Sequence, residues 1–176
     1  MSHVHKEHKE KGPKEINFSI ITVSTSRALE ASKGNIVQDI SGDIAHKLIQ
    51  ERKYKVVFRT IVPDDIKAIK NALQEAQKAR ADIIIFVGGT GLTRDDLTIE
   101  AIKPLLQKEI PGFGEIFRYL SYLEIGSSAF LSRALAGTIG EKVVFCLPGS
   151  PNAVKLALEK LILEEAGHLV YMLKRK

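Results

Sequence analysis

The residues whose types and spacing carry the most chemistry lie in the segment 81–100, ADIIIFVGGTGLTRDDLTIE. There Gly88, Gly89 and Gly91 sit among Thr90 and Thr93 and are followed by Asp95, Asp96, Thr98 and Glu100. Phosphate binding is the chemistry this suits. Glycine permits positive φ and a close approach of backbone amides to a ligand, threonine hydroxyls bond phosphate oxygens, and amides turned toward one point attract an anion. GGTG matches neither the Walker nor the dinucleotide fingerprint. A plain glycine-rich turn after a strand reads the same way, so the loop gains meaning only from the elements around it.

Ahead of the glycines, Ile83, Ile84, Ile85, Phe86 and Val87 form the continuous β-branched and aromatic run of a strand buried on both faces of a parallel sheet. Around it strand and helix signals alternate without an internal repeat. Strands are expected over 16–23, 55–62 and 143–147, and helices over 35–52, 64–80, from about Thr98, over 114–122 and over 128–135. A closing helix is expected over 152–173, interrupted at Gly167. In 64–80, Ile66, Ile69, Leu73 and Ala76 recur at the helical period. Such alternation predicts a single α/β domain of three layers, a mostly parallel sheet with helices on both faces and right-handed crossovers. It leaves the strand order open.

In sheets of this kind ligands bind beyond the carboxyl ends of the strands. The residues at those ends are Ser24, Thr25, Ser26 and Arg27; Pro63, Asp64 and Asp65; the glycine loop with Asp95 and Asp96; and Pro148, Gly149, Ser150, Pro151 and Asn152. Hydroxyls, carboxylates and glycine turns on one edge suit phosphate with a divalent cation, and a few carboxylates completed by phosphates and waters suit magnesium. Each residue also has a structural alternative. Asp64 follows Pro63 at a helix start and reads equally as an N-cap, worth about 1 kcal/mol. Asp95 and Asp96 can cap the Thr98 helix or be solvated, with Glu100 favourably placed in its first turn. Ser150 to Asn152 form a strand-to-helix turn in which Pro151 suits the first helical position. Ser132 and Arg133 read as polar positions of a moderately apolar helix, and His46 and His168 as structural.

The formal charge is +5 and the pI about 9.3 over 176 residues, a length that supports one core. Part of that charge is terminal, in Lys6, Lys9, Lys11 and Lys14 and in Lys174, Arg175 and Lys176. No aromatic-rich basic stripe accompanies it, so nucleic acid is not expected as a partner and an anionic small molecule fits the charge. Residues 1–13, with His3, His5 and His8, lack apolar periodicity and are expected to be a disordered charged tail, a metal-binding tract being the alternative. The domain is expected over 14–176. Cys146 is the only cysteine, which excludes an intrachain disulfide framework or cysteine-cluster metal site and agrees with a cytoplasmic protein. No apolar stretch approaches the ~20 residues of a membrane span and the N-terminus lacks the apolar region of a signal peptide, so no membrane association is expected.

TVSTSR at 22–27, IVPDD at 61–65, GGTGLTRDDLTIEAIKPL at 88–105, PGFGE at 111–115, LSRALAG at 131–137 and LPGSPNAV at 147–154 together resemble the molybdenum cofactor biosynthesis family of MoaB and MogA. The motifs follow in family order and spacing from Ile16 onward. The resemblance implies a three-layer α/β/α fold and a homotrimer or homohexamer. In catalytic members it implies transfer of AMP from magnesium-ATP to the terminal phosphate of molybdopterin with release of pyrophosphate. The product then passes to a separate protein that inserts molybdate or tungstate. By motif, the family's two essential aspartates fall on Asp64 and Asp96, which would also hold Mg2+. Gly88, Gly89, Thr90 and Gly91 would cradle phosphates, and Ser24, Thr98, Glu100, Ser132, Arg133, Pro148, Gly149, Ser150 and Asn152 would line the pterin and nucleotide crevice.

Two positions depart from the family pattern. Thr25 stands where the family usually has aspartate, turning a carboxylate of the pocket into a hydroxyl, and Ile99 stands where many relatives have proline. A non-catalytic molybdopterin-binding or assembly homologue is therefore the alternative, since some relatives called MoaB lack the transferase activity. Self-association is expected through 114–136, where Ile116, Phe117, Tyr119, Leu120, Tyr122, Leu123, Phe130 and Leu131 are mixed with few charges. The same residues would otherwise complete one face of the monomer's core.

Overall fold

The computed structural model describes Pro13 and residues 15–175. The tail expected over 1–13, with its three histidines, lies outside the described residues except for Pro13. One sheet is built from β1 (Asn17–Val23), β2 (Lys55–Val62), β3 (Ile83–Val87), β4 (Lys108–Glu109), β5 (Leu135–Ile139) and β6 (Lys142–Leu147), in the order β2-β1-β3-β6-β5-β4. β2, β1, β3 and β6 run parallel, and β5 is antiparallel to both β6 and β4. The chain leaves β1 to form β2 on one side and β3 on the other. The connections therefore diverge at the carboxyl ends of β1 and β3, the place where a sheet of this kind opens a crevice.

The helices are α1 (Thr25–Ser32), α2 (Ile40–Glu51), α3 (Ile66–Lys78), α4 (Thr98–Ile102), α5 (Pro111–Ile125), α6 (Pro151–Ala157) and α7 (Leu163–Lys174). Successive strand residues point to opposite faces, so the unbroken apolar run of β3 requires cover on both. Ile83, Ile85 and Val87 pack with Phe18 and Ile20 beneath α2, α5, α6 and α7, while Ile84 and Phe86 pack with Ile69, Leu73 and Ile102 of α3 and α4. That makes three layers. Every residue of β3 is buried, and truncating Ile85 to alanine would cost about 2–5 kcal/mol. No described helix is long and apolar enough to cross a membrane.

The expected strands at β1, β2, β3 and β6 hold, and the other elements differ for local reasons. The helix expected over 35–52 is the shorter α2, and an unexpected helix, α1, precedes it at Thr25–Ser32. α1 buries none of its residues, so it has no apolar periodicity to read. α2 starts only at Ile40 because Asp39 caps it, accepting from the Gly42 N–H at 3.1 Å. α3 starts at Ile66, capped by Asp65, which accepts from the Ala68 N–H at 2.7 Å. Asp64 is thus not a cap. The segment expected over 114–122 is the longer α5, with Pro111 in its first turn.

The helix expected over 128–135 is instead a 3-10 stretch, Gly126–Leu131, followed by β5. β5 is hidden in sequence by Gly137, and that glycine is what its pairing requires. A Cβ there would lie 2.5 Å from the Lys108 carbonyl oxygen of β4. Gly140, at φ +59°, then turns the chain into β6. The closing helix is interrupted by a π-helical turn at Leu158–Ile162, and Gly167 lies within α7.

Candidate functional site

The exits of β1, β2, β3 and β6 converge on the glycine loop. Gly88 has φ +100°, and a Cβ on it would lie 2.4 Å from the Val23 carbonyl oxygen. Gly89 has φ +61°, and a Cβ there would lie 2.4 Å from Thr98 Oγ1 and 2.5 Å from Asp64 Oδ1. Both positions exclude a side chain twice over, by backbone conformation and by space. Thr98 locks the loop, its hydroxyl donating to the Gly88 carbonyl at 2.8 Å and its N–H to the Gly89 carbonyl at 2.9 Å. Fully buried, Thr98 shapes the loop from behind. The turn after β6 is tied alongside, with the Gly88 N–H donating to the Leu147 carbonyl at 3.0 Å and the Ser41 hydroxyl to the Gly149 carbonyl at 2.7 Å.

Asp64, at the exit of β2, is clasped by Thr25. Its Oδ2 accepts from the Thr25 N–H at 3.2 Å and from the Thr25 hydroxyl at 3.3 Å, and its own N–H donates to Thr25 Oγ1 at 3.0 Å. Burial pushes the Asp64 carboxyl above the usual range. The Thr25 bonds oppose the rise, and the negative charges of Asp96 and Asp95 add to it. No described cation pairs with Asp64.

Asp96 is arranged differently. Its Oδ2 accepts from the Thr93 N–H at 2.8 Å and the Thr93 hydroxyl at 2.5 Å. Burial works against its ionisation, but the Thr93 bonds, the Gly91 N–H and the Arg133 charge outweigh it and hold the carboxyl below its ordinary value. Gly91 is required beside it, since a Cβ there would lie 2.7 Å from Asp96 Oδ2.

Arg133 and Glu100, read from sequence as crevice lining, brace the loop. The Arg133 Nε donates to the Thr90 carbonyl at 3.0 Å and Nη2 to the Asp96 carbonyl at 3.3 Å, while Nη1 pairs with Glu100 Oε1 at 2.5 Å. The guanidinium holds the Glu100 carboxyl below its usual range. Both residues lie between the 3-10 stretch and β5 or in α4, not in the helix that the sequence suggested for Arg133.

A crevice of about 470 Å³ gathers Gly88, Gly89, Thr90, Gly91, Asp96, Ser132, Pro148, Gly149 and Ser150 from the expected set. Asp64, Thr98, Glu100, Arg133, Ser24 and Asn152 lie outside that lining. Ser24 caps α1, accepting from the Arg27 N–H at 3.5 Å, and Asn152 is exposed on the first turn of α6, which Ser150 caps. The opposite wall, Phe117, Ser121, Ile125, Ser128, Ala129 and Leu131, carries no sequence signal beyond serines within an apolar region. Also unread from sequence is a buried ion pair near the exit of β1. Asp39, 3% exposed, accepts from the Thr22 hydroxyl at 2.8 Å and pairs with Arg59 at 2.9 Å, and Arg59 also reaches Asp43 at 2.7 Å. An acid just ahead of a helical run is a capping signal for Asp39; nothing in the pattern points to Arg59.

A glycine loop, two differently tuned acids and a hydroxyl-lined crevice suit a phosphate-bearing ligand. The chain is 50% identical over 172 residues to the molybdenum cofactor biosynthesis protein B of Bacillus cereus, spanning 97% of this chain and 98% of that protein. A solved molybdenum cofactor biosynthesis protein B superposes with a TM-score of 0.83 at 49% identity, over 93% of this chain and 99% of that one. The tungsten cofactor synthesizing protein MoaB from Pyrococcus furiosus superposes with a TM-score of 0.82 at 44% identity, over 92% and 98% of the two chains. Residues 19–168 match the family model described as a probable molybdopterin binding domain, and the chain belongs to that family.

Proposed function

We propose that this protein is a molybdopterin adenylyltransferase of molybdenum or tungsten cofactor biosynthesis, transferring AMP from magnesium-ATP to the terminal phosphate of molybdopterin. The observation that carries the reading is Asp64, a carboxylate without a described cation, set against a glycine loop and beside two further acids. A pterin phosphate oxygen attacks the α-phosphorus of ATP. The new P–O bond forms as the bond to the bridging oxygen breaks, and pyrophosphate leaves with the electron pair. Little covalent work falls to the protein, so catalysis rests on juxtaposing two polyanions and offsetting the charge that develops. Gly88 to Gly91 would offer amides to the phosphates, Arg133 and Thr98 keep that loop in shape, and Ser132 and Ser150 would bond the pterin side of the crevice.

The donor set fits magnesium. Among the described residues no group of three or more His, Cys, Asp or Glu side chains is placed to hold a metal, and magnesium is commonly held by one or two carboxylates with substrate phosphates and waters in the remaining positions. Asp64 keeps Oδ1 out of its contacts with Thr25. Magnesium held through Asp64 and Asp96 would supply charge neutralisation at the triphosphate. Incubation with molybdopterin, magnesium and ATP labelled at the α-phosphate tests the reading, label on the pterin supporting it. Pterin that binds without acquiring label would support the non-catalytic molybdopterin-binding alternative, which Thr25 favours as a departure from the family's carboxylate.

We also propose self-association as a closed homotrimer, or two trimers forming a hexamer. Phe117 is buried and Leu120 half-buried, so these two belong to the monomer's core. Ile116, Tyr119, Tyr122, Leu123, Phe130 and Leu131 are exposed, Phe130 by 73%. An apolar patch of this kind suits an interface. Light scattering at micromolar concentration is expected to give a multiple of 19.5 kDa, and a mass near the single-chain value would refute it.

A further inference from the structure

Thr25 lies at the start of α1 and Asp64 at the exit of β2, and their reciprocal contacts tie together two strand ends 39 residues apart in sequence. The Thr25 hydroxyl serves both ways, donating to the carboxylate and accepting from the Asp64 N–H, as only a donor-acceptor group can. A carboxylate at position 25 could not donate to Asp64 and would place another negative charge near Asp95 and Asp96. With Oδ2 engaged by Thr25, Oδ1 is the oxygen that faces the glycine loop, 2.5 Å from where a Gly89 Cβ would stand.

We infer that Thr25 is a positioning residue for Asp64, holding Oδ2 so that Oδ1 is aimed at the nucleotide phosphates and their cation over Gly89. The inference rests on the adenylyltransferase reading, and it gives the departure from the family's usual aspartate a role. The clasp lies at an exposed part of the edge, so removing it leaves the packed layers untouched.

Calorimetric titration of the full chain with magnesium-ATP, without pterin, tests this on Thr25→Val, Thr25→Ser, Asp64→Asn and the Thr25→Val/Asp64→Asn double variant, with urea unfolding as a control on folding. Thr25→Val, which keeps the shape and loses the hydroxyl, is expected to weaken binding by about five- to tenfold. Thr25→Ser is expected to stay within about twofold of the wild type, and Thr25→Val to have no further effect once Asp64 is asparagine. Wild-type affinity in a folded Thr25→Val, a loss in Thr25→Ser equal to that in Thr25→Val, or an undiminished Thr25→Val effect in the double variant would overturn the inference while leaving the transferase reading intact. Wild-type affinity in Asp64→Asn would remove the cation role of Asp64, and the inference with it.

Discussion

The two ends of β3 treat a carboxylate in opposite ways. At the amino end Asp82, 7% exposed, accepts from the Asn17 N–H at 2.8 Å and pairs with Lys174 at 2.6 Å. At the carboxyl end Asp64 lies against the glycine loop, has no described cation, and feels the charges of Asp95 and Asp96. A buried charge supplied with its counter-ion and donors is part of the fold. An acid held among other acids carries an electrostatic cost that an arriving cation removes. Proximity to the crevice does not erase the distinction, for Asp39, close to the exit of β1, is fully engaged by Thr22, Gly42 and Arg59.

Substitutions on the two sides of that contrast should separate activity from stability. The largest effect is expected at the two acids set against the glycine loop. Asp64→Asn or Asp96→Asn should each lower adenylyl transfer by about a thousandfold, the scale of losing a group that stabilises developing charge, while the unfolding midpoint stays close to that of the wild type. Full activity in either folded variant would remove that acid from the site. Next comes Asp39→Ala, which leaves Arg59 with Asp43 alone and removes the acceptor of Thr22 and the cap of α2, and should destabilise the fold by about 3 kcal/mol in urea titration. A loss of only a few tenths of a kcal/mol would show that Arg59 is satisfied elsewhere.

Gly89→Val puts a β-branched residue at positive φ and drives its side chain onto Thr98 and Asp64. Strain of about 1–3 kcal/mol is expected, with magnesium-ATP affinity lowered by calorimetry. An unchanged affinity in the folded variant would exclude the loop from the phosphate site. Asp82→Asn should cost about 1 kcal/mol through its lost charge-assisted bonds and leave adenylyl transfer unaffected. A transfer defect there would break the contrast between the two ends.

The smallest effect is in the pH dependence of stability. Asp64 has a raised folded-state pKa, so on acidification the folded chain takes up this proton before the unfolded chain does. Its ionised form therefore opposes folding at neutral pH, and that opposition is relieved as pH falls through the raised value. Asp96 and Glu100 are lowered. Their stabilisation is present above the unfolded carboxylate pKa and lost as pH falls through their folded values. Asp64→Asn should accordingly be as stable as the wild type or slightly more so at pH 7, with the advantage shrinking toward acid. A stability loss at pH 7 that vanishes in acid would reverse the assignment.

Much of this was legible in the sequence because burial writes a period into the chain. β3 is an uninterrupted apolar run because both of its faces are covered, and α3 shows Ile69, Leu73 and Ala76 on one face because only one face is buried. α1 buries nothing and left no such trace. β5 was masked by Gly137, a residue chosen for its closeness to β4 and not for strand propensity. At the site, the glycine loop and the acids announce themselves by residue type. The division of labour among them does not, because whether Arg133 meets a ligand or braces Thr90 and Asp96 depends on contacts 37 to 43 residues apart in sequence. Asp64 and Asp65 read alike beside Pro63, and only the geometry shows that Asp65 caps the helix and Asp64 meets Thr25.

The central claim is that Asp64 and Asp96, at the carboxyl edge of the sheet, are there for a cation carried with nucleotide phosphates. The most direct test is calorimetric titration with ATP in magnesium and in a chelator, on the wild type and on the Asp64→Asn/Asp96→Asn double variant. Binding that tightens with magnesium in the wild type, and loses that dependence in a folded double variant, is the predicted result. Equal affinity with and without magnesium in the wild type, or a magnesium dependence unchanged in the double variant, would contradict the claim.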